Sequence, residues 1–154
     1  MTLVETGSKF ETSPSTVELN EEVISFPSGL VGCEQWKRFR LVLDPETEPF
    51  LRLESLDDEH VGFLVVDPFV FVPDYEFRIS DGDTAELRLA DASDARVLVI
   101  LTIRENPLQV TANLLGPLVI NLKKNLGKQL VLAESTYSVR HPVAVPESAA
   151  GASQ

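Results

Sequence analysis

The sequence predicts an all-β fold: a single compact antiparallel domain, barrel-like or a sandwich, built from many short strands with minor helical turns. Short apolar segments are separated by Pro, Gly and Asp, a pattern typical of β-sandwiches and barrels. Residues 95–104 are β-branched and apolar on both faces, which predicts a central strand. The 154 residues, of which 44% are hydrophobic, are enough for one hydrophobic core.

The predicted strands are short runs in which apolar residues alternate with polar ones or follow one another directly. In chain order they are Thr16–Leu19, Val23–Phe26, Arg38–Leu43, Phe50–Leu56, Gly62–Val66, Phe69–Val72, Tyr75–Ile79, Ala95–Arg104, Leu118–Ile120, Gln129–Leu132 and Val139–Val145. Turn signals such as Asp67-Pro68 separate them. Asp83 followed by Glu86 fits a capping box, which predicts a short helix over Thr84–Arg88.

One apolar segment, Thr111–Asn121, is interrupted by Gly116-Pro117 and has asparagines at Asn113 and Asn121. Proline cannot donate to a sheet, so we expect a bend followed by a short buried strand, Leu118–Ile120. A buried amide needs hydrogen-bond partners, which are either backbone groups of the fold or a binding partner. We expect the structural role for Asn121, which follows the strand, and the partner role for Asn113, which precedes the bend.

The charge is unevenly distributed along the chain. Residues 1–100 hold 21 acidic and 8 basic residues, a net charge of −13, and residues 101–154 hold 3 acidic and 5 basic residues, a net charge of +2. Contacts to phosphates require clustered Lys and Arg, so the composition argues against direct binding of nucleic acid. Acidity favours a basic protein partner, although it also serves solubility.

Three segments differ in composition. Residues 1–15 show no hydrophobic periodicity, so we expect a poorly ordered N-terminal segment. Residues 16–145 are expected to form the β domain, and residues 146–154 a flexible tail. No apolar run approaches the roughly 20 residues needed to span a bilayer, and the N-terminal residues lack the apolar stretch of a signal peptide. The single Cys33 cannot form an internal disulfide. These features predict a cytoplasmic protein without membrane contact.

Residues suited to catalysis or metal binding are few. His60 follows three acidic residues in a turn and His141 precedes Pro142, both positions typical of solvated loops. Zinc needs more Cys or His at ligand spacing, and the acidic turns lack the spacing of a calcium loop. We therefore expect no enzyme, no metal and no cofactor. The alternative is a β-barrel that binds a small ligand, enzymatic or not, which a core filled by Val97–Leu101 would exclude.

An ordered set of motifs runs through residues 16–142. In chain order they are Ile24–Gly32, Arg38-Phe39, Val66–Phe69, Pro73–Glu76, Thr111–Asn121, Gln129, Tyr137 and Arg140–Pro142. In this order and spacing they resemble the family of the flagellar assembly factor FliW, whose entry motif is Phe-Pro-x-Gly-Leu-x-Gly. Cys33 stands where the family usually has an aromatic residue, and Glu54 stands where it usually has Gln.

The resemblance implies a non-enzymatic switch between two protein partners. Family members bind flagellin, and they also bind CsrA, a small basic dimer that represses translation of flagellin messenger RNA. Accumulated flagellin occupies the FliW protein and frees CsrA, whereas export of flagellin returns the FliW protein to CsrA and relieves repression.

For the partner-binding surface the sequence singles out Asp67, Asp74, Tyr75, Glu76 and Asn113. The Asp-Pro and Pro-Asp breaks within residues 67–76 are expected to expose strand ends beside aromatic residues. A groove at such ends can accept the apolar face of an amphipathic helix, the form that the terminal segments of flagellin adopt when they are ordered.

Overall fold

The computed structural model describes residues 23–43, 45–105 and 107–143. The predicted strand Thr16–Leu19, the N-terminal segment 1–15 and the tail 146–154 lie outside these residues. The strands of the described part are β1 (Val23–Ser25), β2 (Arg38–Leu43), β3 (Leu51–Ser55), β4 (Gly62–Val66), β5 (Ala95–Arg104), β6 (Gln109–Ala112), β7 (Leu118–Asn121), β8 (Leu126–Gln129) and β9 (His141–Pro142). One short helix, α1 (Asp81–Glu86), and two 3-10 turns, Pro68–Val70 and Ala92–Asp94, complete these elements.

Seven of the strands close into a barrel in the order β4-β3-β2-β1-β8-β7-β5, with β5 pairing back to β4. Neighbouring strands run antiparallel except β1 and β8, which are parallel and meet at Ser25 and Leu126. β6 pairs with the end of β5, and β9 pairs with β6, so these two strands extend the sheet beyond the barrel. The predicted all-β, barrel-like fold is confirmed, and the parallel pair is its one departure from the antiparallel expectation.

The barrel interior is filled by side chains that alternate along its strands. Six strands, β1–β5 and β7, contribute buried apolar residues to this interior, and Phe26 and Leu30 from the loop after β1 join them. The strand residues are Ile24, Phe39, Leu41, Leu51, Leu53, Val65, Leu98, Leu118 and Ile120. Phe26 and Phe39 pack edge to face, with ring centroids 5.3 Å apart. Aromatic pairs prefer this geometry, and the contact joins the residue that follows β1 to β2.

A second core lies on the outer face of β5. Val97, Val99 and Leu101 pack there against the connection between β4 and β5, which contributes Tyr75 and Leu87 among others. β5 is therefore buried on both faces, as its continuous apolar sequence predicts. The expectation that all of Val97–Leu101 fills the barrel is wrong in detail, because alternate side chains point to opposite sides of a strand.

The connection between β4 and β5 differs most from the sequence-based expectation. Phe69–Val72 does not form a strand, because the Asp67 side chain caps a 3-10 turn that begins at Pro68. Residues 75–79 keep the predicted alternation of burial without forming one of the nine strands of the sheet. The helix starts earlier than predicted, because Ser80 rather than Asp83 is its N-cap and accepts a hydrogen bond from the Asp83 backbone.

Two further differences lie near the C-terminal part of the barrel. β6 was not expected from the sequence, and the strand predicted at Gln129–Leu132 is the earlier β8. The turn before β8 ends at Asn125, whose positive φ of 54° lets Leu126 and Gly127 enter the strand. Lys128 of β8 then donates to Asp83 (2.6 Å) and Glu86 (2.9 Å) of α1.

Candidate partner-binding site

Within the segment singled out in the sequence, Thr111–Asn121, residues 113–117 form a bulge between two strands that both pair with β5. Ala112 of β6 faces Leu101, and Leu118 of β7 faces Leu98, so five residues lie opposite only Val99 and Ile100. Such an insertion pushes the chain out of the sheet while the strands on either side continue in register. The predicted bend at Gly116-Pro117 followed by a buried strand is therefore present.

Two side-chain amides hold the bulge at Gly116. The Asn113 side-chain oxygen accepts from the Gly116 backbone N–H at 2.9 Å, and Gln129 Nε2 donates to the Gly116 carbonyl at 3.0 Å. A Cβ on Gly116 would lie 2.8 Å from Gln129 Nε2, so a larger residue there would displace this amide from its hydrogen bond. The oxygen of Gln129 also accepts from Val31 N–H at 2.8 Å, which ties the bulge to the loop after β1.

Tyr75 is a core residue beneath this surface. Its side chain is fully buried, its hydroxyl donates to the Leu114 carbonyl at 2.6 Å, and its ring lies 4.7 Å from that of Tyr137. Burial raises the pKa of the Tyr75 phenol, and the neighbouring Tyr137 raises it further. Tyr75 thus positions the bulge, and the sequence-based placement of its side chain on the partner-binding surface is corrected.

Residues 135–141 join the Asp67–Glu76 segment to the bulge. Tyr137 Oη accepts from the Glu76 backbone N–H at 3.1 Å, and the Phe71 ring stacks on His141 at 6.1 Å. Leu114 N–H donates to the Ser138 carbonyl at 2.9 Å. The structure therefore brings three sequence-distant segments, 67–76, 113–117 and 135–141, into one continuous surface.

The other predicted site residues occupy different positions on this surface. Asp74 and Glu76 are exposed, whereas Asp67 is half-buried and accepts from the Phe69 backbone at 2.9 Å. Burial lowers the pKa of the Arg96 guanidinium, and the charge of Asp67 offsets part of this effect. Val70 is 52% exposed beside these acids. Charged groups next to an exposed apolar side chain form a surface suited to a protein partner.

Two residues of this site had no role assigned from the sequence. Tyr137 and Gln129 appeared only as positions of the family motifs, because neither lies in a pattern that reveals a distant hydrogen bond. Val70 was placed in a strand, so its exposure was not expected. In the described residues no group of three or more His, Cys, Asp or Glu is arranged to hold a metal ion. None of the helices described there is long and apolar enough to cross a membrane.

Replacement of Asn113 tests its structural role. We expect Asn113→Ala to lower the free energy of unfolding by about 1 kcal/mol, because the half-buried Gly116 N–H loses its acceptor. Asn113→Asp keeps an acceptor at the same position and should retain most of the stability. Urea denaturation of the two variants measures both values. An Asn113→Ala variant as stable as the parent would show that water replaces the amide.

Comparison with known proteins agrees with these features. The profile of the family described as FliW protein matches residues 10–143, most of the chain. The chain belongs to the FliW family. A flagellar assembly factor FliW of Clostridium botulinum is 40% identical over 121 residues, which cover 79% of this chain and 86% of the relative. A FliW protein of Bacillus subtilis is 37% identical over 123 residues, covering 80% of this chain and 86% of the relative.

A solved structure shares the fold. The crystal structure of a flagellar assembly factor FliW superposes with a TM-score of 0.75 at 34% sequence identity, and the match covers 82% of this chain and 89% of the other. The resemblance expected from the ordered motifs is thus confirmed over most of the FliW domain.

Proposed function

We propose that this FliW-family chain is a non-enzymatic, cytoplasmic regulator of flagellar assembly that binds flagellin and CsrA in turn. Bound to CsrA, it relieves the repression of flagellin translation, and bound to flagellin, it leaves CsrA free to repress. The observation that carries the proposal is the family match over residues 10–143, which takes in the whole barrel and the candidate site.

The filled barrel favours protein binding over the alternative of a small-ligand barrel. Two of the largest interior side chains, Phe39 and Leu53, are fully buried inside the closed ring of strands. In the described part of the barrel these side chains occupy space that a ligand pocket, ordinarily about 300 Å³ or more, would need. The surface is therefore the part of the molecule on which recognition depends.

Charge supports CsrA as the partner of the acidic part of the chain. Residues 1–100 carry a net charge of −13 and include Asp74 and Glu76, which are exposed on the candidate site. Opposite charge steers a basic protein toward such a surface and raises the association rate more than it slows dissociation. The same acidity opposes binding to the messenger RNA itself, so the regulator acts on CsrA and not on the message.

Charge reversal at the candidate site tests this proposal. We expect Glu76→Lys and Asp74→Lys each to weaken binding to CsrA or flagellin by about tenfold, because each replaces an attractive charge with a repulsive one. Glu105→Lys makes the same change in charge at an exposed residue between β5 and β6, and it serves as the matched control. Calorimetric titrations with purified CsrA and with monomeric flagellin measure both affinities.

Thermal melts of the same variants separate binding from folding. Both site residues are exposed, so the melting temperature should stay within about 2 °C of the parent value. Unchanged affinity for both partners would place their binding site elsewhere on the surface. Failure of the parent protein itself to bind either partner would overturn the proposed function as a whole.

A further inference from the structure

The pairing between β4 and β5, which closes the barrel, stops before either strand ends. Only Val65 with Ile100 and Val66 with Val99 are paired, although β4 begins at Gly62 and β5 continues to Arg104. Continued in the same register, the ladder would place Gly62 opposite Ile103. No such pair forms there, although the other edge of β5 pairs with β6 over residues 101–104.

The alternation of peptide groups shows which way the free edges point. Val61 accepts from Ser55 of β3 at 3.0 Å, so Gly62, the next residue, directs its N–H and C=O away from β3. On β5, Ile100 accepts from Asn113 at 3.0 Å, so Ile103 directs its peptide groups to the opposite edge, away from β6.

Both edges therefore face the gap between the strands. Both residues are exposed, and among the described residues neither has a hydrogen-bond partner on that side. An unpaired edge of this kind is a template for another strand.

A groove of about 650 Å³ runs along this gap. Gly62 and Leu64 of β4 form one side, Ile103 forms part of the opposite side, and outward-facing residues of β2 and β3 form the floor. Ile103 is 48% exposed, and Leu56 at the end of the groove is 37% exposed. The groove thus combines free peptide groups with exposed apolar side chains.

The floor of the groove, on β2 and β3, carries two arginines and one glutamate, and the exposed Glu59 is a second acidic residue in the lining. Arg40 and Arg52 share the single carboxylate of Glu54, each at 3.6 Å. The Arg40 and Arg52 side chains are 43% and 53% exposed, so their guanidinium groups can donate to a carboxylate that enters the groove.

We propose that this groove is a second interaction surface, which accepts an extended segment of a partner protein by strand addition. The segment pairs with the peptide groups of Gly62 and Ile103, places a carboxylate at Arg40 and Arg52, and rests an apolar side chain on Ile103. Main-chain pairing supplies affinity, and the side-chain contacts supply specificity. The surface is separate from the candidate site at residues 67–76, and its occupation does not depend on the function proposed above.

A synthetic peptide tests the proposal directly. The probe is a capped hexapeptide in which Val and Thr alternate around a central Glu, titrated into the full-length ¹⁵N-labelled protein. We expect the amide signals of Gly62 and Ile103 to shift and their hydrogen exchange to slow by about tenfold at saturation. The same peptide with Lys in place of Glu should bind at least several-fold more weakly. A version with its edge amides N-methylated should not bind, because it cannot pair with a strand.

Charge variants of the protein supply the matched comparison. Arg52→Glu should weaken binding of the Glu peptide by about fivefold or more and strengthen binding of the Lys peptide, because it reverses the charge of the floor. Lys124→Glu makes the same change at an exposed residue of the turn before β8 and should leave both peptides unaffected.

Three results would overturn the proposal. One is that equal shifts occur with all three peptides, and another is that no shift is seen at Gly62 and Ile103. The third is that protection of these amides rises with protein concentration alone, which would make the edge a contact between two copies of the chain.

Discussion

Asn121→Ala is expected to lower the free energy of unfolding by about 3 kcal/mol, the upper part of the range for a buried polar group left without partners. The Asn121 side chain is 1% exposed and joins two turns. Its Nδ2 donates to the carbonyls of Leu87 (2.7 Å) and Arg88 (3.1 Å), and its oxygen accepts from Lys123 N–H at 3.0 Å. Arg88 has a positive φ of 55°, an unfavourable conformation that these hydrogen bonds stabilise.

Asn121→Asp distinguishes the acceptor role of this amide from its donor role. The aspartate keeps the acceptor for Lys123 N–H but removes the donor to the two carbonyls and places a charge beside them. Urea denaturation of both variants should show that each is strongly destabilised, with binding to CsrA and flagellin normal in the fraction that remains folded. Full stability of Asn121→Ala combined with lost binding would instead assign the residue to a partner surface.

Gly127→Ala is expected to destabilise the barrel by about 2 kcal/mol or more, because it overpacks the core. A Cβ on Gly127 would lie 2.5 Å from the Phe26 ring, closer than carbon atoms approach. Phe26 is fully buried and packs on Phe39, so its ring has no space into which to move. The glycine is required by this close approach and not by its backbone angles.

Gly82→Ala is the matched control, and we expect it to stabilise the protein rather than destabilise it. The nearest atom to a Cβ there is Ser80 Oγ at 3.9 Å, and the residue lies inside α1, where alanine is the better helix former by about 1 kcal/mol. Melting temperatures of the two variants should therefore move in opposite directions. A Gly127→Ala variant with the same melting temperature as the parent would mean that the core relaxes around the added methyl group.

Local sequence predicts the strands whose apolar pattern agrees with their burial. The bounds of β2, β4 and β5 match the prediction, because alternation or a continuous apolar run determines them directly. Phe69–Val72 has an equally apolar sequence, yet the cap at Asp67 and the proline after it favour a 3-10 turn. The β-propensity of an apolar run is decisive only where a neighbouring strand is available for pairing.

The candidate site depends on contacts that no local pattern contains. The period-two pattern of residues 75–79 predicts the burial of Tyr75, whereas the adjacent Pro73-Asp74 turn suggested exposure. The partner of its hydroxyl, Leu114, belongs to a bulge far along the chain. Asn113 and Asn121 were recognised as residues in need of partners, but only the fold shows that their amides bond to backbone groups within the domain.

The one parallel pair among the described strands joins a strand near the start of the barrel to one made late in synthesis. β1 is held by β2 on one side, but its other edge waits for β8, where Ser25 N–H donates to the Asn125 carbonyl at 2.9 Å. During synthesis, therefore, Phe39 can cover one side of Phe26 early, whereas the contact with Gly127 forms only after β8 has been made. A chain released before this point exposes an unpaired strand edge and an aromatic side chain, both of which promote aggregation. β8 therefore completes the cover of β1, an edge that a chain ending before β8 would leave open.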